Sequence, residues 1–183
     1  MSSKQSRGLS LAEDIVKVLS GRKKMICGAE SCTAGLVSDF IASIPGASNV
    51  LWGSFVTYTV DAKVRMLGVP EELIKEHGVV SRPVALAMAE GALNKSGAFW
   101  AFSVTGFAGP GGDDRVPVGT VWIGNAGRDG EPSGSLWSEA KRFVFSGSRN
   151  EVRRAAAAAV LQELLERING KGLAAKEPTI ESP

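Results

Sequence analysis

Met25-Ile26-Cys27-Gly28-Ala29-Glu30-Ser31-Cys32-Thr33-Ala34-Gly35 is the stretch from which the fold of this chain is read. A short apolar run gives way to small residues and then to polar ones. Apolar residues return at helical spacing at Leu36, Val37, Phe40 and Ile41. The pattern predicts a strand, a tight turn and a helix. Such a turn sets the Ser31 hydroxyl beside backbone N–H groups without an intrahelical partner, donors that suit an oxyanion or a bound anion. Ser, Thr and Glu are also ordinary helix-start residues that cap those same donors. The stretch alone therefore leaves a reactive serine and a capping serine both open.

Upstream, Leu11, Ile15, Val18 and Leu19 predict an amphipathic helix over residues 9–20, after a polar, flexible lead at 1–8. Downstream, β-branched and aromatic residues predict a strand over 50–60. Asp61 reads as the N-cap of a short helix carrying Lys63. Pro70-Glu71-Glu72 opens another helix, and Gly78 closes it. An alanine-rich helix is expected over 81–94, and a strand buried on both faces over 99–104. A glycine-rich loop at 106–112 follows, then strands at 118–123 and 136–145 around a turn-rich stretch at 124–134. A long alanine-rich helix covers 150–168, and 170–183 reads as a disordered tail. Helices interleaved with strands point to one α/β domain over 9–169, its sheet covered on both faces.

A chain of 183 residues is the size of one domain. With 44% hydrophobic and 22% charged residues it falls among globular rather than disordered sequences. A net charge of +2 gives no electrostatic case for a nucleic-acid partner. No apolar run reaches bilayer length, and the N-terminus lacks a signal-type apolar core. The expectation is a cytoplasmic protein with no membrane or nucleic-acid partner. Cys27 and Cys32 lack metal-ligand spacing, and a disulfide is not expected in a reducing compartment. Cys27 reads as a buried small hydrophobe. His77, the sole histidine, stands where a helix ends before Gly78. That argues against a Ser-His-Asp triad and against a histidine-based metal site.

Four segments carry polar residues that a sheet can gather: Glu30 to Thr33, Thr57-Tyr58 with Lys63, Thr105 to Gly112, and Gly147 to Arg154. In open α/β sheets, ligands bind beyond the carboxyl ends of strands, and Ser31, Thr105 and Gly106 follow strands in that way. A lysine can activate a serine when burial or cationic neighbours keep the amine neutral. Lys63 is a candidate for that role, and Tyr58 for a proton relay. Taken singly, Lys63 reads better as a solvated helix residue and Tyr58 as a half-buried strand residue. The glycine loop lacks the Lys-Ser/Thr ending of a P-loop. Its glycines still permit amides to approach a phosphate, and a mobile surface loop is the other reading. Arg149, Arg153 and Arg154 begin the last helix, where the macrodipole disfavours cations. They fit an anion alongside that helix start, or a solvated basic face offset by Glu151.

Taken together, these segments resemble the CinA C-terminal-domain family, whose enzymatic members are nicotinamide-nucleotide amidohydrolases (NMN deamidases). The matching stretches are Ala29 to Gly35, Val56-Thr57-Tyr58 with Lys63, Leu67-Gly68-Val69 and Gly78-Val79-Val80-Ser81. Further on they are Ala87 to Gly91, Thr105 to Gly112, Pro117 to Val121, Gly147-Ser148-Arg149 and Val152-Arg153. The resemblance implies a three-layer α/β/α fold and hydrolysis of the carboxamide of nicotinamide mononucleotide, within pyridine-nucleotide salvage. The products are nicotinic acid mononucleotide and ammonia. It implies Ser31 as nucleophile, Lys63 as its base and Tyr58 as an assisting group. The substrate-side set is Glu30, Thr33, Thr105, Gly106, Gly109, Gly111, Gly112 and Arg149, with the glycine loop and Arg149 on the phosphate and ribose. No metal or organic cofactor is implied, and a homo-oligomer is.

Two departures touch the substrate loop. Val116 precedes Pro117 where the family often has Lys, and Asp113-Asp114-Arg115 makes the loop more acidic than a phosphate site asks for. Larger CinA proteins carry an N-terminal nucleotide-hydrolase-like domain. The sequence holds no counterpart, so the amidohydrolase activity alone is expected. Two other readings stay in play. Cys32 can serve as nucleophile with Glu30 and Lys63 as partners. A non-catalytic nucleotide-sensing or partner-binding module is the second, against which stands the joint presence of Ser31, Tyr58 and Lys63.

Overall fold

Ile26, Cys27 and Ala29 expose no surface, because the strand they form, β1 (Ile26–Glu30), lies inside the sheet. It pairs in parallel with β2 (Leu51–Val56) on one side and β3 (Trp100–Gly106) on the other. Antiparallel strands β4 (Thr120–Arg128) and β5 (Leu136–Val144) complete a mixed sheet of order β2-β1-β3-β4-β5. The structure, a computed structural model, describes residues 3–112, 116–128 and 134–170. The acidic loop residues Asp113-Asp114-Arg115 and the tail expected beyond Gly170 lie outside that range.

Among the described residues, six α-helices cover the sheet: α1 (Ser3–Arg22), α2 (Leu36–Ala42), α3 (Val60–Leu67), α4 (Glu71–His77), α5 (Arg82–Ser96) and α6 (Arg149–Ile168). Alternation of strand side chains sorts them into two layers. Ile26, Phe102, Val104, Val121 and Ile123 pack with residues of α1, α2 and α6. Cys27, Ala29, Ala101 and Ala126 pack with Val84, Met88, Ala89 and Ala92 of α5 and with Leu67 and Ile74. Small residues on that second face bring α5 down onto the sheet. Ser103 Oγ donates to the Ala85 carbonyl at 2.6 Å, and a Cβ on Gly124 would lie 2.7 Å from the same oxygen. The fold is the single-domain, three-layer α/β/α architecture. Among the described residues, no helix is long and apolar enough to cross a membrane.

Several element boundaries depart from expectation, each for a packing reason. Helix α1 begins at Ser3, inside the stretch expected as a flexible lead. Gly8 lies in it against Phe40 of α2, where a Cβ would come within 2.8 Å of the ring. Strand β2 stops at Val56 rather than running on to 60. Thr59, not Asp61, then caps α3: its Oγ1 accepts from the Ala62 N–H at 3.1 Å. Asp61 instead sits in the first turn and pairs with Arg65 at 2.6 Å. Strand β4 continues to Arg128 through residues read as a turn. Its small residues there let α5 pack closely, and that closeness is invisible to a turn-propensity reading.

Candidate active site

Ser31 follows directly on β1, and its N–H donates to the Val104 carbonyl of β3 at 3.0 Å. The chain then turns sharply, with the Ala34 N–H returning to the Ser31 carbonyl at 3.1 Å. Ala34 adopts φ 52° and Gly35 φ 93°, consecutive left-handed residues. Ala in that region costs about 1–2 kcal/mol, so the turn must be held from outside.

Glu30 supplies part of that hold. Its side chain is fully buried, and Oε2 accepts from Thr33 Oγ1 at 2.7 Å, the Gly35 N–H at 3.0 Å and the Val37 N–H at 3.1 Å. Oε1 accepts from the Ser38 N–H at 2.9 Å, Ser38 Oγ at 2.8 Å and Ser54 Oγ at 3.5 Å. The open amides at the start of α2 thus find a carboxylate where the macrodipole favours one. Capping, one of the two roles read for this stretch, falls to Glu30 rather than to Ser31. On the other side, Arg153 of α6 donates Nε to the Cys32 carbonyl at 3.1 Å and Nη2 to the Thr33 carbonyl at 2.8 Å. Arg153 is therefore spent on backbone, not on the anion considered for it from sequence. Among the described residues, the Cys32 and Thr33 amides donate to no protein oxygen.

Lys63 reaches the turn from α3 with no exposed surface. Its Nζ donates to Ser31 Oγ at 2.9 Å and to the Thr57 carbonyl at 2.7 Å. The sharp exit from β2 makes this possible: Thr57 N–H still pairs with the Glu30 carbonyl at 2.8 Å, and its carbonyl turns to meet the amine. Burial pulls the Lys63 pKa from 10.5 down to about 8, against a smaller upward pull from Cys32. The Cys32 thiol goes the other way. It belongs to the core cluster of the α1, α2 and α6 layer, and burial pushes it up to about 12.

In front of Ser31 lies a cavity of about 200 Å³, walled by Cys32, Tyr58, Val79, Val80, Thr105 through Gly109, Gly111 and Arg149. Ser148 and Glu151 form a capping box that fixes the start of α6 and so sets Arg149 in its first turn. The Arg149 guanidinium donates to the Gly109 carbonyl at 2.7 Å and to Tyr58 Oη at 2.5 Å, tying two loops to the start of α6 at the mouth. Thr105 Oγ1 donates to the Val79 carbonyl at 2.9 Å.

Of the residues singled out from sequence, Ser31, Tyr58, Thr105, Gly106, Gly109, Gly111 and Arg149 meet at this cavity. Lys63 lies behind Ser31. Glu30 and Thr33 lie beneath the turn, bonded to each other, and Gly112 is not on the wall. Tyr58 bonds to Arg149 rather than to the Ser31–Lys63 pair. The backbone clamp by Arg153 was not anticipated, since no sequence pattern marks an arginine that serves carbonyls on another element. Among the described residues, no cluster of His, Cys, Asp and Glu has the makings of a metal site.

The family model for the CinA C-terminal domain matches residues 9–168. The chain is 47% identical over 153 residues to a putative competence-damage inducible protein of Symbiobacterium thermophilum. That match covers 81% of this chain but only 35% of the relative's length. It is 45% identical over 157 residues to the nicotinamide-nucleotide amidohydrolase PncC of Shigella flexneri, covering 85% of this chain and 92% of that one. Among solved structures, the competence/damage inducible protein CihA of Agrobacterium tumefaciens superposes with a TM-score of 0.82 at 38% identity, over 92% of this chain and 99% of that one. The matched span holds every element that builds the Ser31 site, and the chain belongs to the CinA C-terminal domain family.

Proposed function

We propose that the chain is an amidohydrolase that cleaves the carboxamide of nicotinamide mononucleotide to nicotinic acid mononucleotide and ammonia, with Ser31 as nucleophile and Lys63 as base. One observation carries the reading: a fully buried lysine, its pKa drawn down to about 8, stands 2.9 Å from the hydroxyl of a serine that opens onto a cavity. The substrate class comes from the printed name of the Shigella relative.

The Thr57 carbonyl holds one amine proton of Lys63, which leaves the lone pair of the neutral amine facing Ser31. As Ser31 Oγ adds to the amide carbon, its proton passes to Lys63. The open amides after Ser31 receive the carbonyl oxygen as it becomes an oxyanion. Lys63 then returns the proton to the departing nitrogen, the C–N bond breaks, and ammonia leaves an acyl-Ser31 ester. Water repeats the sequence with Lys63 again accepting the proton, releasing the acid and restoring Ser31. Among the described residues, the two hydrogen-bond partners of Arg149 are both neutral, which suits its guanidinium to the nucleotide phosphate. Tyr58, bonded to that guanidinium, assists from the substrate side. The dyad needs no metal or cofactor.

The acidity of Cys32 disfavours a thiolate mechanism, since a thiol held near 12 stays protonated at neutral pH. The same reading makes the chain a cytoplasmic homo-oligomer in pyridine-nucleotide salvage, without nucleic-acid or membrane partners. The test is to incubate the protein with nicotinamide mononucleotide and follow ammonia and the acid product together. Equimolar release of the two is the expected result. Thermal stabilisation by the nucleotide without either product would instead make the chain a binding module.

A further inference from the structure

We propose that Arg153 is the positioning residue of the Ser31 turn, fixing the two peptides that follow the nucleophile; the proposal rests on the amidohydrolase reading above. Arg153 spans more than 100 positions of sequence to reach two successive carbonyls, Cys32 at 3.1 Å and Thr33 at 2.8 Å. Its third nitrogen donates to Asn150 Oδ1 at 3.3 Å on its own helix. The Cys32 carbonyl and the Thr33 N–H belong to one planar trans peptide, so they point in opposite directions. A guanidinium fixed on that carbonyl fixes the aim of the amide.

The turn needs such a hold. Ala34 and Gly35 both have positive φ, and strained backbone persists only where its surroundings over-determine it. Glu30 pins the far half through the Gly35, Val37 and Ser38 amides. Arg153 pins the near half through carbonyls. A planar fork can serve two adjacent oxygens where the single ammonium of lysine cannot. Arg149, one helical turn earlier on the same face, walls the cavity; Arg153 does not. The two arginines thus divide the work, one toward substrate and one toward the nucleophile's backbone.

The experiment compares the parent with Arg153→Ala and Arg153→Lys in two assays: kcat and KM for ammonia release, and the rate at which a fluorophosphonate probe labels Ser31. The probe requires the same oxyanion donors but no nicotinamide ligand. Expected is a fall of about 100-fold in kcat with KM changed less than about threefold, and a parallel fall in labelling. Arg153→Lys recovers little, and free guanidinium ion restores part of the lost rate to Arg153→Ala. Should Arg153→Ala not fold, the Arg153→Lys comparison decides alone. A tenfold or larger rise in KM at unchanged kcat makes Arg153 a substrate contact and overturns the proposal. Labelling at the parental rate in both variants overturns it too. A parent that labels yet releases no ammonia refutes the substrate reading, and the labelling rates then decide on Arg153. A parent inert to the probe refutes both.

Discussion

The Lys63 amine and the Ser31 hydroxyl stand 2.9 Å apart although 32 residues separate them in sequence. The amine has no exposure to water, which is what converts a cation into a base. A base with a pKa of about 8 is mostly protonated at neutral pH and free above it. The expected profile of kcat/KM therefore climbs about tenfold per pH unit below 8 and levels off above it. Initial rates of ammonia release across roughly pH 6 to 10 check this. A flat profile over that range contradicts the role of Lys63.

The same burial weighs on the fold. The folded pKa of Lys63, about 8, lies below the ordinary 10.5, so between those values the unfolded chain binds the extra proton. Stability thus rises with pH from about 8 to 10.5, and below about 8 the fold carries the full penalty of about 3 kcal/mol. Lys63→Met removes that penalty while leaving the Thr57 carbonyl without its partner. The net expectation is a variant without turnover that is about 1–2 kcal/mol more stable at neutral pH. Urea unfolding of both proteins at neutral pH measures the difference, and a less stable methionine variant contradicts the expectation.

Glu30→Gln tests what lies beneath the turn. The carboxylate offers only acceptors to backbone amides and hydroxyls, whereas an amide brings two donors into a site already full of donors. Loss of about 2–4 kcal/mol is expected in denaturant unfolding, with turnover lost alongside. Unchanged stability with a raised KM would make Glu30 the substrate contact that family resemblance implies.

Arg149→Ala separates phosphate recognition from chemistry. Its partners, Gly109 O and Tyr58 Oη, are neutral, so removing the guanidinium leaves no buried charge behind. KM for nicotinamide mononucleotide should rise about 10- to 100-fold with little change in kcat. Nicotinamide riboside, which lacks the phosphate, should be far less affected. An equal effect on the two substrates removes Arg149 from the phosphate.

The strand–turn–helix at the centre of the fold was legible because its apolar spacing changes from strand to helix within a dozen residues, with the polar residues at the join. Layering followed from the alternation of helices and strands. What periodicity does not carry is contact between distant segments. Lys63 sits on a helix where a solvated lysine would look the same, and only the exit of β2 after Val56 turns it inward. Residues 57–60 are β-branched or aromatic and read as strand, yet the Thr59 cap starts a helix there. Glu30 and Thr33 are polar and adjacent to Ser31, so sequence grouped them with the substrate. Their mutual hydrogen bond under the turn is a tertiary fact. Arg153 was legible as a charge at a helix start, but not as a clamp on two carbonyls.

The most direct measurement is ammonia release from nicotinamide mononucleotide by Ser31→Ala, run beside the parent and Cys32→Ala with folding checked by circular dichroism. With Ser31 as the nucleophile, the parent and Cys32→Ala turn over at similar rates while the folded Ser31→Ala releases no ammonia above the uncatalysed background. Retained turnover in Ser31→Ala, or its loss in Cys32→Ala alone, would contradict that role.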